Sequence, residues 1–218
     1  MRYWAVLAVL MMALTGCARV VAGTAEPDQH PPGVALGVDG FGIVVGFPDA
    51  PVQLELFTEP QCDHCAHFQA TFGEDIRSGI QSGRLAVTYR LLTFFDDSDT
   101  GYSHTVSNAL FLAAGPTTTA SVFQKFVESL WANQDLAHQH YTDGDFADQA
   151  RQAGVTDAVV AQITAGRAAV DTVAMDEHNT YALSDTDSPG TPTVYDVHGR
   201  EVVDISDPDW LDALLRGA

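Results

Sequence analysis

Cysteine, lysine and long apolar runs are all scarce in this chain of 218 residues. It has three cysteines, a single lysine (Lys125), and 10 basic residues against 29 acidic ones, for a formal net charge of −19. A surface this acidic repels phosphate backbones and anionic lipid headgroups. It therefore excludes nucleic acid as a partner and electrostatic attraction as a route to membranes. The one sustained apolar run, residues 3–14, falls short of the roughly 20 residues that a bilayer-spanning helix needs. No later stretch is long enough to span either. No glycine-rich phosphate loop and no flavin fingerprint are present, so no bound organic cofactor is expected. A second cysteine pair, which a zinc site built on Cys-x-x-Cys would want, is also missing.

What is present begins with an address. Met1-Arg2 is a short positive segment, the run 3–14 has the length of a secretory apolar region, and it stops at Leu14-Thr15-Gly16-Cys17. Those four residues resemble the lipobox of bacterial lipoproteins. The resemblance implies cleavage before Cys17, acylation of its thiol, and attachment to the outer face of the cell membrane. On that reading residues 1–16 are a signal peptide and 17–37 a lipidated N-terminus and flexible tether, with Pro27, Pro31 and Pro32 and no regular periodicity. The alternative is an ordinary signal peptide or an N-terminal membrane anchor, with Cys17 incidental. Residues 38–218 are then one domain's worth of chain, enough for a proper core.

The remaining two cysteines stand in Cys62-Asp63-His64-Cys65, where a strand-like run gives way to a helix-like one. Two thiols at this spacing on a helix's first turn can close a small disulfide. They can also expose one sulfur whose thiolate the helix N-terminus stabilises. Cys62, nearer the N-terminus, is the expected exposed nucleophile, and Cys65 faces inward. His64, if protonated, favours the thiolate; Asp63 is a like charge and opposes it. A metal reading would join the cysteines to His64 or His67. Against it, His138 and His140 fall in a polar loop, His67 reads as a surface residue, and His104 and His178 read as structural groups on helices. No metal is expected.

The order of elements is informative. Residues 41–45 suggest a short edge strand, and 52–57 a strand feeding the cysteines. Residues 65–80 suggest a helix with Phe68, Phe72 and Ile76 on one face, and 85–92 a further strand, together a βαβ unit with a parallel pair. A helical block follows, with helices expected over 103–114, 119–133, 145–153, 157–165 and 167–182. Within it Phe123, Phe126, Val127, Leu130 and Trp131 form an apolar stripe that reads as core. Residues 193–197 and 201–205 read as a β-hairpin. Asp207-Pro208 then reads as the start of a last helix over 209–216 that buries Trp210, Leu211, Leu214 and Leu215.

Phe57-Thr58-Glu59-Pro60-Gln61-Cys62-Asp63-His64-Cys65, followed late in the chain by Gly190-Thr191-Pro192-Thr193, resembles the DsbA-like branch of the thioredoxin superfamily. The resemblance runs from about Val52 to the C-terminus. It implies an α/β, thioredoxin-like fold with a helical insertion, about residues 100–185, between the βαβ half and the C-terminal ββα half. It also implies thiol–disulfide exchange, with Cys62 as nucleophile, Cys65 as resolving thiol, Pro192 cis, and the Thr191 backbone pairing with substrate. Exported proteins with cysteines are the implied substrates, and a membrane protein that recycles the pair the implied redox partner. A monomer is expected, and disulfide formation is favoured over reduction. Two departures stand out. Asp63 occupies a position often held by proline, and Leu56 one that relatives commonly give to a buried acid. Glu59 could replace that acid as a modulator of the site; we expect instead a solvated or loop-capping carboxylate. The competing function is a binding or scaffold lipoprotein whose Cys62–Cys65 pair is an inert staple.

Overall fold

The computed structural model describes residues 31–134, 141–188 and 190–218. The signal segment, Cys17, the tether up to residue 30, and His138 and His140 lie outside the described residues.

Among the described residues thirteen elements follow one another: β1 (Gly33–Leu36), β2 (Ile43–Gly46), β3 (Val52–Thr58), α1 (Asp63–Gln81), β4 (Leu85–Leu91), α2 (Tyr102–Ala113), α3 (Ala120–Ala132), α4 (Asp143–Ala153), α5 (Asp157–Thr164), α6 (Thr172–Ser184), β5 (Thr193–Asp196), β6 (Glu201–Val202) and α7 (Trp210–Gly217). The strands form one sheet in the order β1-β2-β4-β3-β5-β6. Among the described strands only β3 and β4 run parallel, joined through α1; the other pairs are antiparallel. This is the thioredoxin-like arrangement expected, with α2 to α6 inserted between the two halves.

Burial explains the pattern. β3 is buried at Val52, Leu54 and Leu56 in alternation and then runs buried through Phe57 and Thr58, as a strand covered on both faces should. α1 turns Cys65, Phe68, Ile76 and Ile80 to the core. The stripe on α3 is core throughout: Phe123, Phe126, Val127, Leu130 and Trp131 are all buried. A buried polar seam ties α3 to the sheet and to α1. The Tyr89 hydroxyl donates to Gln124 Oε1, and Gln124 Nε2 donates to Gln69 Oε1 at 3.0 Å. Gln69 Nε2, at the end of this seam, is buried without a hydrogen-bond partner, so one group of the seam still carries a desolvation cost.

Five expectations need correction. The stretch 33–36, placed in the tether, forms β1 and is hydrogen-bonded to β2 over four residue pairs. As a result β2 is an interior strand, not an edge; four small or branched residues beside prolines were too short a run to signal a strand. α6 begins at Thr172, capped by the Asp171 carboxylate, so residues 167–171 are a connection and not its first turn. In α7 the cap position is Asp209, while Asp207 accepts the Asp209 N–H as a turn. Leu214 and Leu215 are only half-buried on that helix.

The parallel pair fixes where chemistry can happen. The C-terminal ends of β3 and β4 share one edge of the sheet, where Leu92 N–H bonds Thr58 O at 3.0 Å. β5 begins at the same edge, because Thr193 is paired with Phe57. The Cys-x-x-Cys turn, the loop after β4 and the Gly-Thr-Pro segment therefore meet there.

Candidate active site

Cys62 is the N-cap residue of α1, in an extended conformation, and its neutral side chain accepts no capping bond from the first turn's N–H groups of the kind Ser or Thr accepts. The sulfur instead takes up the open N-terminus. Backbone N–H groups of His64 and Cys65 and the thiol of Cys65 bond it in its charged form. The thiol of Cys65 is the largest of these influences; burial opposes it, and a bond from Thr191 reinforces it. Together they pull the Cys62 thiol down to about 5. Cys65 goes the other way. Burial, then the bond it gives to Cys62, push its thiol well above the ordinary range. The two sulfurs, both free thiols in this structure, thus have opposite characters: one a ready thiolate, the other a held proton.

Cys62 is less exposed than expected. It keeps 6% of its surface, against 0% for Cys65. The cover comes from across the chain. Its Sγ lies 3.4 Å from the carbonyl oxygen of Thr191, and the Thr191–Pro192 peptide bond is cis. Its own carbonyl oxygen accepts from Gln134 Nε2 at 2.7 Å. Gln134 had no signal in the sequence beyond membership of a polar loop.

His64 and Asp63, expected to pull against each other through their side chains, both point outward, with side chains 82% and 75% exposed. Asp63 Oδ1 accepts the His64 N–H at 2.8 Å. What reaches the sulfur from His64 is its backbone N–H. Glu59 is the opposite case. It is wholly buried, not solvated. It does cap its loop, since Oε2 accepts the Gln61 N–H at 2.6 Å, but Oε1 also accepts the Ser103 hydroxyl from α2. Burial is the main cause that raises its carboxyl to about 8, against those two bonds. Beside the cis-proline lies a groove of about 500 Å³, lined by Phe68, Phe72, Pro192 and Ile205 together with His64 and His67.

A family model described as "Thioredoxin" matches residues 39–216. The MdbA protein of Corynebacterium diphtheriae, a thiol-disulfide oxidoreductase, superposes with a TM-score of 0.69 at 25% identity, over 86% of this chain and 96% of that one. The chain belongs to the thioredoxin superfamily, in its DsbA-like branch. Reduced DsbA of Mycobacterium tuberculosis shares the fold of this DsbA-like chain, with a TM-score of 0.60 at 18% identity over 86% and 92% of the two chains. Among curated proteins, the serine/threonine-protein kinase PknE of M. tuberculosis is 31% identical over 187 residues, which is 84% of the DsbA-like chain. The chain spans about a third of the length of that relative, 33%. Among the described residues no group of three or more His, Cys, Asp or Glu side chains could hold a metal ion. No helix among them is long and apolar enough to cross a membrane.

Proposed function

We propose that this chain exchanges disulfides with exported proteins outside the cytoplasm, with Cys62 as the attacking and attacked sulfur and Cys65 as the resolving one. The observation that carries this reading is the split between the two thiols, one depressed to about 5 and the other raised by burial. In the forming direction a substrate thiolate attacks Cys62 of the closed pair, and the Cys65 sulfur leaves and takes a proton. A second substrate thiolate then attacks the substrate sulfur of the mixed disulfide, and Cys62 leaves as thiolate. Stabilising the Cys62 thiolate stabilises the reduced enzyme, which makes its disulfide the more oxidising. That favours disulfide formation over reduction, and a membrane partner that accepts the electrons afterwards. The Thr191 backbone and Pro192 lie where a substrate strand would pass Cys62. Cys17, acylated, would hold the domain at the membrane surface.

The test is trapping. Cys65→Ala incubated with a peptide disulfide should accumulate a mixed disulfide at Cys62, read by mass spectrometry, while Cys62→Ala accumulates none. Adducts at Cys65 in the second variant, or none in the first, would overturn the assignment. For the anchor, Cys17→Ser should shed the protein from the membrane fraction; retention there would remove the lipid from the account.

A further inference from the structure

Gln134 reaches the redox pair from the helical insertion, yet the exchange steps above give it no task. It stands just beyond the end of α3, half-buried, and its Nε2 donates to the Cys62 carbonyl oxygen at 2.7 Å. Its placement is firmly built. Phe123, Phe126, Val127, Leu130 and Trp131 lock α3 into the core, and Gln124 Nε2 ties it to Gln69 of α1 at 3.0 Å. Asn133 closes the helix end, its Nδ2 donating to Ser129 O at 2.8 Å, and Ser129 Oγ donates to Gln149 Oε1 of α4 at 3.0 Å. The amide is thus delivered to Cys62 from a frame of packed helices.

This bond completes the pinning of the Cys62 backbone. Cys62 N–H donates to Glu59 O at 3.1 Å, and Cys62 O accepts the Ala66 N–H at 3.1 Å as the opening bond of α1. Gln134 takes the second lone pair of that same oxygen. The ψ torsion of Cys62, at 118°, turns this carbonyl and, through the same peptide plane, the chain that follows. The N–H groups of His64 and Cys65, which bond the sulfur, lie on that chain. A carbonyl held from outside therefore fixes how the sulfur meets those donors. A second effect acts in the same direction. The carbonyl oxygen is the negative end of a dipole in the residue that carries the thiolate, and a donor N–H on it offsets that partial charge.

We propose that Gln134 is a positioning residue of the redox centre: its amide holds the Cys62 carbonyl so that the sulfur stays against the head of α1, which favours the charged sulfur of the reduced pair. Gln134 acts through the backbone of Cys62 and brings no charge of its own. The titratable groups that bear on the Cys62 sulfur, Cys65 from α1 and Glu59 from the loop before it, are kept when Gln134 is replaced. The side chains of Asp63 and His64 point outward. The consequence for the potential rests on the exchange reading above; the consequence for the thiolate does not.

The first measurement is the thiolate absorbance of the phosphine-reduced full chain against pH, for wild type, Gln134→Met and Gln134→Lys. Methionine keeps the length of the side chain and cannot donate; lysine can donate to the same oxygen. A neutral hydrogen bond supports a change of at most about tenfold. Gln134→Met should raise the Cys62 midpoint from about 5 by about 0.5–1 pH unit, with the melting temperature close to wild type. Gln134→Lys should hold it at the wild-type value or below. An unmoved midpoint in Gln134→Met, or one in Gln134→Lys as high as in Gln134→Met, overturns the proposal. The second measurement is the equilibrium with glutathione near neutral pH, in which two glutathione thiols reduce the Cys62–Cys65 disulfide and leave as oxidised glutathione. Gln134→Met should shift it about three- to tenfold toward the protein disulfide, tenfold being about 30 mV. A disulfide that opens with no such shift overturns the proposal. If glutathione never opens it, the exchange reading fails by itself, and the thiolate midpoint still decides this one.

Discussion

Removing the Cys65 thiol should cost Cys62 part of its acidity, by an amount the site geometry sets. The Cys65 thiol is the largest influence holding Cys62 at about 5; the backbone N–H groups of residues 64 and 65 and the bond from Thr191 remain when it is gone. A hydrogen bond to a charged group contributes about 1.5–3 kcal/mol, and one pKa unit is about 1.4 kcal/mol. Cys65→Ala should therefore raise Cys62 by about 1–2 units, to about 6–7, still below the ordinary thiol value of about 8.5. The sign for stability follows. A thiol whose folded pKa is depressed stabilises the reduced protein above the unfolded value of about 8.5 and loses that contribution as pH falls through the folded value. In wild type the loss is centred near about 5. In Cys65→Ala it should be centred near about 6–7. The ultraviolet absorbance of the thiolate against pH, paired with the rate of iodoacetamide alkylation, reads the midpoint directly. A midpoint that stays near the wild-type value would show that the Cys65 thiol is not the source of the acidity. One at or above the ordinary value would show that the helix N-terminus contributes nothing.

Other outcomes follow from the same structure. Cys62→Ala should abolish exchange with a model disulfide while the melting temperature of the reduced protein stays close to wild type; retained exchange would remove Cys62 as nucleophile. Phe123→Ala, in the insertion's fully buried stripe, should cost about 3–5 kcal/mol by urea denaturation; a loss under about 1 kcal/mol would mean that α3 does not share the core. Arg90 holds Glu55 through Nε at 2.9 Å and also binds Asp39, with its side chain only 13% exposed. Arg90→Met should cost about 2–3 kcal/mol, less than the about 3–5 of a fully buried pair. Burial acts to raise the Asp39 carboxyl, but N–H groups of Phe41 and Gly42 together with Arg90 outweigh it and hold it below the ordinary range. Its stabilising effect is thus present above about pH 4 and lost as acid carries the solution through the lower folded value. Arg90→Met should shrink that acid-range loss, and an unchanged acid profile would refute the coupling.

The parts of the fold that were legible in the sequence are those with local causes. β3 shows in its alternation, α1 in the spacing of Phe68, Phe72 and Ile76, and the α3 stripe in its helical period. The site was legible where a motif carries it: Cys62, Cys65 and the Thr191-Pro192 pair meet at one edge because β3, α1 and β5 all begin or end there. What stayed hidden depends on chain brought from far away. Glu59 reads as a solvated or loop-capping carboxylate; it caps its loop, and Ser103, 44 residues on, closes over it. Gln134, 72 residues from Cys62, looks like loop filler until its amide meets the Cys62 carbonyl. A sequence does not say which way a first-turn residue points, so His64 and Asp63 read as opposing influences on the sulfur, whereas both side chains face solvent. β1 was missed because its partner strand, and not its own composition, makes it a strand.

The central claim is that Cys62 and Cys65 form an exchanging, oxidising pair, and the reduction potential tests it most directly. Equilibrated against glutathione, the pair should open reversibly at a potential near the roughly −120 mV of a strong disulfide donor. A value near about −270 mV would reverse the direction of electron flow. A bond that stays closed below about −300 mV would make Cys62–Cys65 a structural staple and contradict the account.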